Sequence, residues 1–228
     1  MLVKDYMTPH PLSVEENTPV IKAAELMKER NVRRFPVMRN GELIGIVTDR
    51  DLRSAGPSQV ISFDAQERQL MPELHALFAA MKIRDVMSRH VITIRPEQTI
   101  VAAALRMLQH RISGLPVVDA QGKLAGIITE TDVFKVLVDL AGVHSGKTVL
   151  AFRVEDRPGS IKEVADVIRE HGGRLASILT SYSPADERFR RVFIRIRDLP
   201  AKELQALEKG LRAKFELLYV VDDDLSES

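Results

Sequence analysis

Gly45-Ile-Val-Thr-Asp-Arg-Asp51 and Gly126-Ile-Ile-Thr-Glu-Thr-Asp132 are one short pattern written twice in 228 residues. Toward the N-terminus the offset falls from 81 to 80 and then holds. Phe35-Pro-Val37 stands against Leu115-Pro-Val117, and Ala23, Ala24 and Met27 against Ala103, Ala104 and Met107. Val3-Lys-Asp-Tyr-Met-Thr-Pro-His10 stands against Ile83-Arg-Asp-Val-Met-Ser-Arg-His90. Matches in the same order, broken by a single inserted residue, identify an internal repeat over residues 1–56 and 81–141.

Each copy predicts the order β-α-β-β-α. A short strand, Leu12 to Val14 or Val91 to Ile94, precedes a helix. That helix carries the i, i+3, i+4, i+7 stripe Val20, Ala23, Ala24, Met27 or Ile100, Ala103, Ala104, Met107. Phe35 to Met38 and Leu43 to Val47 flank Asn40-Gly41, a hairpin signal. Leu115 to Val118 and Leu124 to Ile128 flank Gln121-Gly122 in the same way. A closing helix starts near Thr48 or Thr129. Between the copies, Leu70, Leu74, Leu77, Phe78 and Met81 fall on one helical face, so residues 57–80 predict a connecting amphipathic helix.

After Gly142 the pattern changes. Residues 142–147 read as a linker and residues 148–222 as β-α-β-β-α-β, the ferredoxin-like order. Residues 223–228 read as an acidic, frayed tail. The expected fold class is α+β: two β-α-β-β-α repeats in a pseudo-two-fold pair, plus a C-terminal ferredoxin-like domain.

Composition narrows the chemistry. Lys+Arg is 33 against Asp+Glu 32, a net charge of +1, which argues against a polyanion-binding protein. Arg191, Arg195 and Arg197 share one strand face and read as a solvated surface, not a nucleic-acid site. The absence of cysteine excludes disulfides, cysteine-ligated zinc and thiol nucleophiles. With no apolar leader and no long apolar run, a soluble cytoplasmic protein is expected. No nucleophile–base pair or metal-ligand cluster stands out, so no catalytic residue and no metal site is expected. Gly142-Val-His-Ser-Gly-Lys147-Thr148 imitates a phosphate loop, but it is one residue short and runs into a strand instead of a helix.

Thr48-x-x-Asp51 and Thr129-x-x-Asp132 admit two readings. A carboxylate has two acceptor oxygens and suits the vicinal diol of a ribose. A threonine beside a helix start, with Arg34 and Arg50 nearby, suits a phosphate. The same spacing is also a capping box, in which threonine and aspartate satisfy the first backbone N–H groups of a helix. At Asp156, Pro158, Gly159 and Ser160, free N–H groups at a helix start could hold a carboxylate, or the loop could simply turn the chain.

The paired units resemble a tandem of CBS domains, carried by Asp5-Tyr-Met7 and Asp85-Val-Met87, the two x-Pro-Val strands and the two Gly-x-x-Thr-x-x-Asp patterns. The C-terminal part, with Asp156-Arg-Pro-Gly159, resembles an ACT domain, and the combination is similar to the bacterial acetoin-utilisation accessory group. The resemblance implies a non-catalytic regulatory protein with an adenine nucleotide (AMP, ADP, ATP or a related adenosyl compound) as regulatory ligand and no required cofactor. It implies nucleotide contacts from Leu12, Ser13, Arg34, Pro36, Thr48, Arg50 and Asp51 in the first copy. From the second copy it implies Ile92, Thr93, Pro116, Thr129, Thr131 and Asp132. It also implies an ACT module that forms a homodimer and senses an amino-acid effector, with an unnamed regulated protein downstream and no membrane or nucleic-acid partner. The alternatives are a dimeric scaffold with empty clefts and a weak nucleotide hydrolase.

Overall fold

Each repeat closes its sheet with the leading segment of the other repeat. In the computed structural model, which describes residues 1–55, 80–182 and 187–223, the first copy begins with a 3-10 turn (Val3–Asp5). It continues through β1 (Thr8–Pro9), β2 (Val14–Glu15), α1 (Val20–Glu29), β3 (Arg34–Arg39), β4 (Glu42–Thr48) and α2 (Asp49–Ser54). The second copy comprises α3 (Ile83–Val86), α4 (Ile100–His110), β5 (Gly114–Val118), β6 (Leu124–Thr129) and α5 (Glu130–Ala141). The helical face expected from Leu70, Leu74, Leu77 and Phe78 lies outside the described residues.

The exchange is written in paired hydrogen bonds. β1 joins β6, with Thr8 opposite Ile127. Reciprocally, Ser88 bridges Ile46 of β4 through bonds of 3.0 and 2.9 Å. Val3 N–H donates to Gln98 O at 2.8 Å, and Ile83 N–H donates to Thr18 O at 2.9 Å. Asp5 and Asp85 hold the two turns by accepting from Leu2 N–H and Lys82 N–H at 3.0 and 2.9 Å. The paired Asp-x-Met and Gly-x-x-Thr patterns meet here. Met87 lies on Gly45, and Met7 lies on Gly126. A Cβ at Gly45 would stand 2.6 Å from Met87 Sδ and 3.2 Å from Ser88 O, so any larger residue would force the crossing segments to shift. Gly45→Ala is therefore expected to lower stability by about 1–3 kcal/mol, an overpacking cost. A urea midpoint equal to the parent's would refute the close crossing.

The helical stripe is buried as expected at Val20, Ala23, Ala24 and Met27 in α1 and at Ile100, Ala103 and Met107 in α4, whereas Ala104 is only half-buried. Val14, Phe35, Val37, Val47 and Leu52 complete the first core, and Ile83 enters it from the second copy. Asn40 and Gly41 take positive φ values of 50° and 83°, the left-handed pair that a two-residue hairpin turn requires. In the second copy the leading strand shrinks to a single bridge, Ile94 with Val117.

The compact units divide at Val133/Phe134, within α5, so the helix belongs to neither alone. A 3-10 turn (Val143–Ser145) occupies the connector. The second unit continues with β7 (Thr148–Glu155), α6 (Ser160–Glu170), β8 (Leu175–Tyr182), β9 (Phe189–Ile196), α7 (Ala201–Lys214) and β10 (Glu216–Asp222). The antiparallel sheet runs β10-β7-β9-β8, the ferredoxin-like arrangement. Leu150, Phe152, Ile168, Ile194, Leu207 and Leu211 form its core.

Arg195 departs from the solvated face expected of it. Arg191 and Arg197 are exposed, but Arg195 is only 7% exposed. Its Nε donates to Ala141 O at 2.9 Å, Nη1 to Gly146 O at 3.0 Å and Nη2 to Asp223 Oδ2 at 2.5 Å. The acidic tail therefore begins with an anchored residue, because Asp223 neutralises this buried guanidinium.

Candidate functional site

β4 ends at Thr48, whose φ/ψ of −118°/164° leaves the helical region and caps α2. Asp51 N–H donates to Thr48 Oγ1 at 3.2 Å. In return, Thr48 N–H and Oγ1–H both donate to Asp51 Oδ2, at 2.8 and 2.7 Å. The second copy repeats the box: Asp132 Oδ2 accepts from Thr129 N–H at 2.9 Å and Oγ1–H at 2.7 Å. The cap and the ligand readings are compatible, because capping uses a single carboxylate oxygen. Among the described residues nothing donates to Oδ1 of either aspartate, so each keeps acceptor capacity for a diol.

Thr48 and Asp51 sit at the wall of a cleft of about 570 Å³, within the size range of small-molecule sites. The second copy contributes Ser88 and His90 to Ile92 from its leading segment, Arg111 to Gly114, and Glu130. The Ser88–Ile46 bridge explains the juxtaposition. It brings Val91 and Ile92 alongside the end of β4 as a half-buried apolar edge.

Arg34 lies at the centre of this arrangement. Its Nη2 donates to Ser113 Oγ at 2.8 Å, and its guanidinium rests on Gly114, the residue equivalent to Arg34 in the second copy. A side chain at position 114 would collide with it, so the glycine makes room for the arginine. Burial pushes the Arg34 guanidinium below its ordinary value, and Glu130 and Asp49 pull the other way. Arg33, Arg50 and Arg111 also line the cleft. Arg111 ends α4 in the left-handed region (φ 54°, ψ 42°), a conformation that costs an ordinary side chain about 1–2 kcal/mol. Asn31, its equivalent at the end of α1, adopts the same conformation (φ 51°) at less cost.

Of the expected nucleotide contacts, Arg34, Thr48, Arg50, Asp51 and Ile92 share this cleft. Leu12 and Ser13 do not line it. They are exposed, and the exchange supplies the apolar edge from the other repeat. Pro36 and Pro116 are buried within their hairpins opposite Ile46 and Ile127, outside the lining. Thr93 also lies outside the lining, and its carbonyl is taken by Arg106. Thr129, Thr131 and Asp132 form the matching corner of the second copy, likewise outside this cleft. Residue patterns missed Ser88, His90, Val91, Arg111, Ile112 and Glu130. The aligned repeat held a usable signal for one of them, since position 111 carries a charge where position 31 carries asparagine.

In the second unit Gly159 caps α6 with φ +88°. Ser160 is buried and its Oγ accepts from Arg190 Nη2 at 3.3 Å. Arg190 Nη1 donates to Tyr182 Oη at 3.2 Å, and Arg190 Nε lies 3.4 Å from Asp156 Oδ1 as an ion pair without hydrogen-bond geometry. Pro158 O receives only a long bond from Arg157, at 3.5 Å. Arg157 is otherwise held by Glu155 through Nε at 3.1 Å and by Glu163 through two bonds of 2.7 Å, which keep the Glu163 carboxyl below its ordinary range. Asp156, Pro158, Gly159 and Ser160 thus stand together at one helix start, and Arg190 and Tyr182 are the additions that spacing did not reveal.

Among the described residues no group of three potential metal ligands occurs, and no helix is long and apolar enough to cross a membrane. The CBS domain family matches residues 3–58 and 83–139. A CBS domain-containing protein of Dictyostelium discoideum is 32% identical over 139 residues, covering 60% of this chain and 92% of that protein. A homoserine O-acetyltransferase of Methanococcoides burtonii is 34% identical over 136 residues, but the match spans only 24% of that enzyme. Among solved structures, a candidate acetoin utilization protein (AcuB) from Vibrio cholerae is 29% identical, with 63% of this chain and 95% of that chain covered and a TM-score of 0.50. CBSX2 in complex with AMP is 29% identical, with 60% and 96% covered and a TM-score of 0.48. Two capped strand-to-helix corners, exchanged leading segments and a near-complete match to a relative have one conclusion: the chain belongs to the CBS domain-containing proteins.

Proposed function

We propose that the chain is a non-catalytic regulatory protein that takes an adenosine-type ligand in the cleft at Thr48 and Asp51. One observation carries this reading. The capping box occupies Oδ2 of Asp51 and, among the described residues, leaves Oδ1 without a donor at the wall of a cleft that also offers an apolar edge and Arg33, Arg50 and Arg111 without ion pairs. A ribose diol fits the carboxylate, a base fits Val91 and Ile92, and a phosphate fits the cations. Membership of the CBS family supports the adenosine assignment. The matching corner at Thr129, Thr131 and Asp132 is a second adenosyl site of weaker phosphate preference.

The ferredoxin-like unit is read as an ACT module that forms a homodimer and senses an amino-acid effector at Asp156, Pro158, Gly159 and Ser160. Helix α6 supplies free N–H groups there, and Arg190 supplies a cation. The setting is cytoplasmic, acetoin utilisation is the pathway the architecture favours, and the regulated protein is a separate chain. A ligand that prefers one arrangement of the protein shifts the population toward it.

Dialysed protein heated with AMP, ADP, ATP or S-adenosylmethionine tests the reading. A ligand at a hundred times its Kd adds about 2.7 kcal/mol of stability, a shift of several degrees. No shift with any of the four would defeat it, and light scattering that finds only monomer would remove the dimer.

A further inference from the structure

We infer that the Thr48–Asp51 cleft selects a nucleoside di- or triphosphate, its phosphate chain held by Arg50 and Arg111 from opposite repeats, and that the second corner lacks this selectivity. The inference rests on the adenosine reading and adds the phosphate count and the residues that set it.

Nine arginines among the described residues form ion pairs with carboxylates. In the second unit Arg157, Arg169, Arg190, Arg195 and Arg212 each have a carboxylate within 4 Å. In the cleft the reverse holds. Among the described residues, Arg33, Arg50 and Arg111 have neither an ion pair nor a side-chain hydrogen bond, and Arg34 has only the Ser113 hydroxyl. Three carboxylates share the cleft. Asp49 is taken by Arg53 at 2.7 Å, Asp51 is engaged in the cap, and Glu130 acts on the Arg34 guanidinium. With these carboxylates so engaged, Arg33, Arg50 and Arg111 are left in one concavity as partners for added negative charge.

The repeat supplies an internal control. Arg50 corresponds to Thr131, and Arg111 corresponds to Asn31. Capping threonine, aspartate and the acidic residue after the threonine are retained in both copies, as Thr48, Asp51 and Asp49 against Thr129, Asp132 and Glu130. What distinguishes the corners is thus the pair of cations that would reach beyond a first phosphate. Arg111 is also held in a backbone conformation that suits asparagine better, so the local fold gains nothing from arginine at this position.

The test titrates the full chain by calorimetry with adenosine, AMP, ATP and inorganic tripolyphosphate. It then repeats the titrations on Arg50→Thr and Arg111→Asn, which install each residue's counterpart from the other repeat. ATP is expected to bind at least about tenfold tighter than AMP at one site per chain. Each substitution is expected to weaken ATP about tenfold and AMP far less, so that the ATP:AMP ratio falls toward one. Equal affinities for AMP and ATP, or variants that weaken both alike, overturn the inference while leaving the adenosine reading in place. Tripolyphosphate binding that both variants weaken, with no binding of any adenosine compound, overturns the adenosine reading and upholds the polyphosphate cradle. Binding of none of the four overturns both.

Discussion

Asp51→Asn is expected to weaken adenosine-type ligands on the order of 100-fold while shifting the melting temperature by no more than about 2 °C. The asymmetry follows from the division of labour between the two carboxylate oxygens. Oδ2 receives both Thr48 bonds, and among the described residues Oδ1 of this cleft-lining aspartate receives none. An asparagine can still present one oxygen to Thr48 N–H, so most of the cap survives. It cannot present two anionic acceptors, and hydrogen bonds to an ionised group are roughly twice as strong as neutral ones. Thr48→Ala is the counterpart. It removes the Oγ1 acceptor of Asp51 N–H and should cost about 1 kcal/mol of stability. It leaves the Asp51 carboxylate in place. Calorimetric titration and thermal melts of both proteins separate the two roles. Unchanged binding by Asp51→Asn would reduce the motif to a helix cap.

Much of this arrangement was legible in the residues, and the reason is the repeat. A single Thr-x-x-Asp is an ordinary helix start, whereas two in register at the ends of matched strands specify a fold unit. The strand and helix order of the second unit followed from periodicity, because its apolar positions alternate cleanly in β9 and recur helically in α6. The exchange of leading segments was not legible. Thr8 and Ser88 pair with the opposite copy, and hydrogen-bond partners eighty residues away leave no trace in local pattern. That exchange is why the expected contact Ile92 lines the cleft at Thr48, whereas Leu12 and Ser13, from the same copy as Thr48, do not. Arg111 was missed for another reason. Its place in the cleft follows from how α4 ends, and the only mark in the residues is a charge at position 111 where position 31 carries asparagine. Arg195 was misread because strand parity tells which face a side chain takes but not whether that face is covered.

Arg195→Ala is expected to lower stability by about 2–4 kcal/mol, the second large effect. Its guanidinium closes three segments at once: the last residue of α5 through Ala141 O, the connector through Gly146 O and the chain beyond β10 through Asp223. Ser177 Oγ also donates to Ala141 O, at 2.7 Å, so that carbonyl keeps one partner in the variant. The Gly146 carbonyl and the Asp223 carboxylate lose the guanidinium bonds described for them. Asp223 is 37% exposed and recovers much of its solvation, which holds the loss below that of a fully buried pair. For the same reason Asp223→Asn should cost no more than about 1 kcal/mol. Arg195→Lys should fall between them, since an ammonium keeps the charge but cannot reproduce the planar fork that reaches all three acceptors. Denaturant melts of the three variants should therefore rank Ala, Lys and Asn in decreasing loss. Equal midpoints for Arg195→Ala and the parent would mean that desolvating the guanidinium cancels its three bonds, and the clamp would contribute geometry without stability.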